Sequence, residues 1–414
     1  MTTGLADNIR KYRRTGGLSQ EGLAEAAGLS LSTVRKVEQG GDVRVETLHA
    51  LARALGVSTS ALFATEAPRS VVGPQDDANR RHLVELRRAL MPPIGLAAPL
   101  TAAPEEPGGL DTTCQQVRDA RALYEQDRYS SVAKLLPPLL RSSEAAVNAL
   151  EGEEQRLAMT ARSQVLLMTG QFLTQVRQYD MAYYALAEAI RLGRETGQTL
   201  TAATGVVGMC WLLLRQDRFD ECEQLAAQTA AEIEPRLSEA AADHLAVWGE
   251  LWLRVAASSV RNNRPDVAQE ARRMAATAAS AMGREDNGFP NHWGGFGPAT
   301  VEMKAIEDLS LTGDQRGVLR RSDEGPVSPN GLRSLGGVTS NNWNRHRLDV
   351  AKAYVATGEH QEAMAELMQI KQRANGWITH QPMARYVMAD ILKTRKRTLT
   401  EEMRSMAAHL GVAG

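Results

Sequence analysis

Apolar residues recur at helical spacing through the first 63 positions and are interrupted at short intervals by polar caps and glycines. Leu5 and Ile9, Leu23 and Ala27, Val34 and Val37, and then Leu48, Leu51 and Leu55 each mark one face of a short helix. Gly16-Gly17 ends the first helix. Ser19 caps the second and Gly28 ends it. Ser30 caps the third, Gly40-Gly41 closes it, and a fourth spans about 45–55. A serine hydroxyl satisfies free amides at a helix start, and glycine takes the left-handed turn past its end. With Leu18, Leu29, Leu62 and Phe63, these positions make one small core. From 66 to 112 the pattern breaks. Seven of the 16 prolines fall there, which predicts a linker. One amphipathic piece, 77–90, interrupts it, with Leu83, Leu86 and Leu90 on one face and Arg80, Arg81, Arg87 and Arg88 beside them. From 113 to 414 the chain reads as long Ala/Leu-rich helices separated by polar turns, so the class is all-α.

The long region repeats itself. Small residues fall twelve apart around a polar turn: Gly170 and Ala182, Cys210 and Cys222, Ala256 and Ala268, Ala351 and Ala363. Ala120 with Val132 and Ile306 with Val318 fit more loosely. Each unit reads as a helix hairpin in which one small residue per helix lets the backbones approach. Stacked hairpins bury a continuous core and curve into a superhelix. Cys210 and Cys222 are then small packing residues. The tail, 384–392 and 399–410, reads as a capping helix pair. Two stretches break the rhythm and read as irregular loops, 283–298 and 322–344.

Composition adjusts this picture in a few places. Lys plus Arg number 48 and Asp plus Glu 49, so bulk coating of nucleic acid by charge is not expected. Within 1–65, however, eight basic residues face six acidic ones, a net charge of +2. Three cysteines with no paired spacing point away from a zinc cage or disulfide framework. The opening residues have no apolar core and no stretch is long and apolar enough for a membrane helix, so a cytoplasmic location is expected. Ser131 and Lys134 match an SxxK pattern but lack companion motifs. Gly294-Gly295-Phe296-Gly297 follows no strand, so it does not read as a dinucleotide site. Neither an enzyme nor a cofactor is indicated.

The stretch GLSQEGLAEAAGLSLSTVRKVEQG, within 5–63, resembles the XRE-family helix-turn-helix, a five-helix DNA-binding domain. In such domains the third helix enters the major groove and the second crosses the backbone. The resemblance implies base contacts from Leu31, Ser32 and Arg35, with Arg35 placed for a bidentate contact to guanine. It implies phosphate or flanking contacts from Gln20, Thr33 and Lys36, and further phosphate contacts from Ser19, Arg14 and Arg44. Arg13 and Glu38 match positions that commonly form a buried ion pair. The partner implied is a double-stranded DNA operator, read by a homodimer.

The later hairpins resemble the tetratricopeptide repeat, most clearly at Val350, Ala351, Tyr354, Gly358, Ala363, Leu367 and Ile370. Their spacing of 40 to 50 residues exceeds the regular repeat. Together the two resemblances point to peptide-pheromone-responsive, quorum-sensing regulators of this architecture. Counting six residues before and one after each first-helix small residue gives an expected concave face: Gln164 and Gln171, Thr204 and Trp211, Glu250 and Ala257, Thr300 and Glu307, Arg345 and Lys352. Gln171, Trp211, Glu250, Trp293, Thr300, Glu307 and Arg345 are the expected contacts to a peptide or small-molecule effector. The expected layout is a reader at 1–65, a linker at 66–112 and a sensor and dimerisation region at 113–414. The alternative is a DNA-tethered interaction scaffold with no small ligand.

Overall fold

The computed structural model describes residues 3–15, 18–41, 43–55, 57, 59–62, 83–93, 107–286, 294–394 and 400–412. Regular structure among them is helical, and the one β-bridge joins Asp286 to Phe296. The small N-terminal domain holds α1 (Thr3–Thr15), α2 (Gln20–Ala27), α3 (Leu31–Glu38), α4 (Val45–Ala54) and α5 (Thr59–Leu62). Ser19 and Ser30 accept from the backbone amides of Gly22 and Thr33, and Gly28 turns left-handed at φ 65°. Ile9, Leu23, Val34, Val37, Leu48, Leu51 and Leu62 are buried in its core, with Leu5, Leu18, Leu29 and Leu55 packed around them. Phe63 lies outside the described residues.

The larger body is a stack of helix pairs: α7 (Leu110–Glu125) with α8 (Tyr129–Ala149), α9 (Gly152–Gln175) with α10 (Tyr179–Glu195), α11 (Thr199–Arg215) with α12 (Phe219–Glu232), α13 (Ala242–Arg261) with α14 (Pro265–Met282), α15 (Pro298–Thr312) with α16 (Gln315–Ser322), and α18 (Ser340–Thr357) with α19 (His360–Arg373). The first helices α7, α9, α11, α13, α15 and α18 touch in succession and form one wall. α20 (Asn375–Thr379), α21 (Pro382–Thr394) and α22 (Glu401–Leu410) follow.

The six turns share one backbone device. Asp127, Arg177, Asp217, Asn263, Gly313 and Gly358 all have positive φ, from 57° to 90°. Each lies five residues before the small residue of its second helix. In each turn the next amide reaches back five residues to a carbonyl at 2.8–3.0 Å, from Arg128 to Leu123 through Glu359 to Tyr354. This left-handed closure fixes where the second helix starts. The small residues then meet as their spacing requires. A Cβ on Gly170 would lie 2.6 Å from Leu186. The Cys210 thiol lies 3.8 Å from the Cys222 carbonyl, and both cysteines are buried.

Three features depart from the sequence expectation. Residues 83–90 form a helix, α6, whose Leu86, Ala89 and Leu90 join the core of the helix stack, so this piece is built into the larger body. The 322–344 stretch is not an irregular loop. It holds a 3-10 turn (Gly325–Val327), α17 (Pro329–Leu335) and the start of α18, because Ser328 and Thr339 cap both helices. Finally, the stack curls until its ends meet. The His380 ring lies 5.6 Å from the Tyr129 ring, and a Cβ on Gly376 would lie 3.0 Å from the Asp127 carbonyl.

Phe296 pins the stretch before α15 by inserting against Gly249. A Cβ there would stand 2.1 Å from the ring, and Phe296 is fully buried. Gly249→Ala is expected to expel the ring and cost about 1–3 kcal/mol, as overpacked cores do. The measurement is chemical denaturation. An unchanged midpoint would show that the ring is not held by this contact.

Candidate functional site

In the small domain, α3 presents Ser32, Arg35 and Lys36 to solvent while Val34 and Val37 face the core. Helical spacing separates the two faces, so the exposed row is free to enter a groove. The Ser30 hydroxyl lies 2.8 Å from that of Ser32 and 2.7 Å from that of Thr33, which sets the first turn of α3. Leu31 is half-buried against the core. Ser19 is exposed, and its hydroxyl accepts from Gly22. The side chain of Arg14 lies outside the described residues.

Arg13 and Glu38 form the expected ion pair. Arg13 Nε donates to Glu38 Oε1 at 2.6 Å and Nη2 to Oε2 at 3.1 Å, while Nη1 donates to the Leu18 carbonyl at 2.9 Å. Gln20 adds a bond to Glu38 Oε2 at 2.7 Å. One carboxylate therefore ties α1, α2 and α3 together. Burial alone would raise the pKa of Glu38, but hydrogen bonds from Arg13 and Gln20 hold it below the usual range. The amide of Gln20 is thus engaged within the domain.

The opposite face of the domain rests on the stack. Thr59 N donates to Asp217 Oδ2 at 2.8 Å, and His49 Nδ1 lies 2.7 Å from the Thr59 hydroxyl and 3.8 Å from Asp217 Oδ1. The His49 ring meets Phe219 edge-on, with centroids 5.1 Å apart. Arg53 hydrogen-bonds to Asn262 and lies 3.7 Å from Asp220. Arg44, which is exposed, reaches over the Gly313 turn. α4 and α5 therefore sit across three consecutive hairpin turns, and α3 keeps its reading face clear. Burial, followed by the charges of Arg261 and Arg53, pushes the His49 imidazole down to about 3.

A cavity of about 140 Å³ lies inside the curled stack. Of the positions counted for the concave face, Gln171, Trp211, Glu250, Ala257, Glu307 and Arg345 line it. Thr300 does not. It is fully buried, its amide and hydroxyl both donate to Glu285 at 2.8 Å, and it borders a separate small void. That engagement removes it from the main cavity. Trp293 lies outside the described residues.

Sequence reasoning missed the cations. Arg215, Arg254, Arg261 and Lys304 also line the wall, each four residues after a counted position and so one turn further along the same face. Glu307 gathers three of the charges, with Lys304 Nζ at 2.9 Å, Arg261 at 3.0 Å and Arg345 at 3.9 Å. Burial opposes its ionisation, but these cations overcome that and hold its pKa well below normal. Arg254 pairs with Glu250 at 2.9 Å. Arg215 instead lies over the Trp211 ring, 5.5 Å from its centroid.

Comparison with known proteins bears on the small domain. A helix-turn-helix family profile matches residues 9–62. Control protein C.SmaI of Serratia marcescens is 39% identical over 70 residues, which are 17% of this chain and 83% of that protein. The chain belongs to the XRE-type helix-turn-helix family. It is accordingly a DNA-binding transcription regulator, and the family match falls on the domain whose α3 stands exposed. Among the described residues no helix is long and apolar enough to cross a membrane.

Arg13→Ala would leave the Glu38 carboxylate buried without its main partner. The small domain is expected to lose about 3–5 kcal/mol, as when half of a buried pair is removed. Hydrogen exchange of α1 and α3 amides reads this directly. Wild-type protection in the variant would show that the pair is dispensable.

Proposed function

We propose that this regulator senses a ligand in the cavity of its helix stack and passes occupancy to the DNA-reading domain through the hairpin turns. The reader comprises residues up to about 65. The stack from 113 onward, with α6 attached, is a tetratricopeptide-like sensor. One observation carries this reading: the helices that line the cavity end in the turns that hold α4 and α5. Arg215 precedes Asp217 by two residues, and Arg261 is next to Asn262. A shift of α11 or α13 around a ligand therefore moves the anchors of the reader. Two copies, each with a mildly basic reader, bind two operator half-sites about one helical turn apart. The stack supplies the dimer contact.

On this reading Arg35 and Ser32 select bases, and Lys36, Thr33, Ser19 and Arg44 hold phosphates, while Leu31 packs the base of the recognition helix. Arg44 is shared between the Gly313 turn and the backbone of DNA. Selection of bound duplexes from a random pool supplies the operator. Arg35→Ala is then expected to cost about 1–3 kcal/mol at one base position and to relax preference there. Wild-type affinity and preference in both Arg35→Ala and Ser32→Ala would remove α3 from the reading role.

The docking itself depends on pH. His49 is held neutral in the interface at about 3, whereas a released imidazole titrates near about 6.5. The docked arrangement is therefore fully favoured above that value. It weakens as pH falls through it, by up to about tenfold per unit, because the released form binds the proton. Energy transfer between dyes on the two domains is expected to fall between pH 7.5 and 5.5 in the wild type and to stay flat in His49→Asn. The same response in both would exclude His49 as its source.

A further inference from the structure

The cavity wall carries more positive than negative charge. Five cations line it, Arg215, Arg254, Arg261, Lys304 and Arg345, against two carboxylates, Glu250 and Glu307. Both carboxylates are already engaged, Glu250 by Arg254 and Glu307 by Lys304 and Arg261. Two guanidiniums are left short of a counter-ion. Arg345 reaches Glu307 only at 3.9 Å. Arg215 has no carboxylate partner among the described residues and rests on the Trp211 ring. Burial, and then repulsion from Arg345, push Arg215 down to about 9, so it remains charged at neutral pH. Asp349 does not line this wall; it borders the separate small void instead. Burying a charge without a partner is costly, and folded proteins retain such a charge mainly where something else supplies the partner.

Size and surface narrow that partner. At about 140 Å³ the cavity has room for one small molecule. The rest of the wall is partly apolar, with Trp211, Leu214, Leu253 and Trp377. Tyr124 from α7 and Trp377 from α20 both line the space, so the two ends of the stack both reach it. Within the ligand-sensing reading above, we propose that the cavity takes a small organic acid. Its carboxylate would bridge Arg215 and Arg345, and its flat apolar body would lie against Trp211 and Trp377. A carboxylate accepts two parallel bonds from one guanidinium, which gives both strength and orientation.

The test uses the full chain and three aromatic acids, 2-naphthoate, 4-phenylbutyrate and cinnamate, each paired with its neutral amide and followed by calorimetric titration and thermal melting. The expected result is binding of at least one acid, with its amide at least about tenfold weaker, the discrimination that one ionic contact provides. The bound acid should raise the melting temperature by mass action. Arg215→Gln and Arg345→Gln should each weaken the acid at least about tenfold. Without ligand, Arg215→Gln should melt no lower than the wild type, because it removes an unmatched charge. That second readout separates lost binding from lost folding. Equal binding of acid and amide, or wild-type acid binding by Arg215→Gln, overturns the anion assignment and leaves ligand sensing in place. Binding of none of the six compounds overturns the small-acid proposal. The operator measurements on Arg35 and Ser32 are independent of every one of these outcomes.

Discussion

The left-handed residue at each hairpin turn is the constraint on which the larger body depends. A residue with positive φ must stand five positions before the small residue of the second helix, so that the next amide can close back on the first helix. Shifting that position by one would rotate the second helix by about 100° and turn its small residue away from its partner. Glycine fills the place in two turns. In the other four it is Asp127, Arg177, Asp217 and Asn263, which accept the steric cost of a left-handed backbone. Asp and Asn tolerate that region better than most residues, whereas Arg177 does so without such help. The closure holds the six first helices in register, and that register aligns the cavity residues.

The same turns then serve a second purpose. Because they lie in a row, α4 and α5 can span three of them. Asp217 is at once the left-handed residue of its turn and the acceptor for Thr59, and Asn262 adjoins the left-handed Asn263. One local device therefore supplies the packing register of the stack and the platform on which the DNA-reading domain sits.

Much of this was legible because it is periodic. Ser19, Gly28 and Ser30 announce helix ends through local chemistry that needs no tertiary knowledge, and the small domain follows them closely. The twelve-residue spacing of small residues placed Gly170 opposite Ala182 and Cys210 opposite Cys222. Counting from those residues brought six of the ten concave positions to one cavity. The cations escaped because two positions per helix were counted, whereas a helix facing a cavity shows it successive turns. Arg215, Arg254, Arg261 and Lys304 follow at the next turn. Thr300 was misplaced for another reason: Glu285 precedes it by fifteen residues and captures it, a contact that no local pattern announces. The curl that brings His380 to Tyr129 and the seating of α4 on the turns depend on small rotations summed over many helices. Single-helix periodicity carries no record of that sum.

The strength of the docking decides whether it can transmit anything. A ligand shifts an equilibrium only by its differential affinity for the two states, so an interface that is too strong would ignore it. Here the described polar contacts include the Thr59–Asp217 and Arg53–Asn262 bonds, long His49–Asp217 and Arg53–Asp220 pairs and one ring contact, with Arg44 over the Gly313 turn. Hydrogen bonds of this kind each contribute about 0.5–1.5 kcal/mol net, and an exposed ion pair contributes less. Their sum lies in the range of ordinary coupling free energies, about 1–3 kcal/mol. Occupancy of the cavity that reoriented Asp217 or Asn262 would then act on a sizeable part of the polar docking energy. On the ligand-sensing proposal linkage would also work in reverse: DNA that drew Arg44 away from the Gly313 turn would alter ligand affinity by the same factor. On the ligand-sensing proposal, a two-way switch requires an interface that is not too strong, and the polar contacts between α4, α5 and the turns are where such a switch would act.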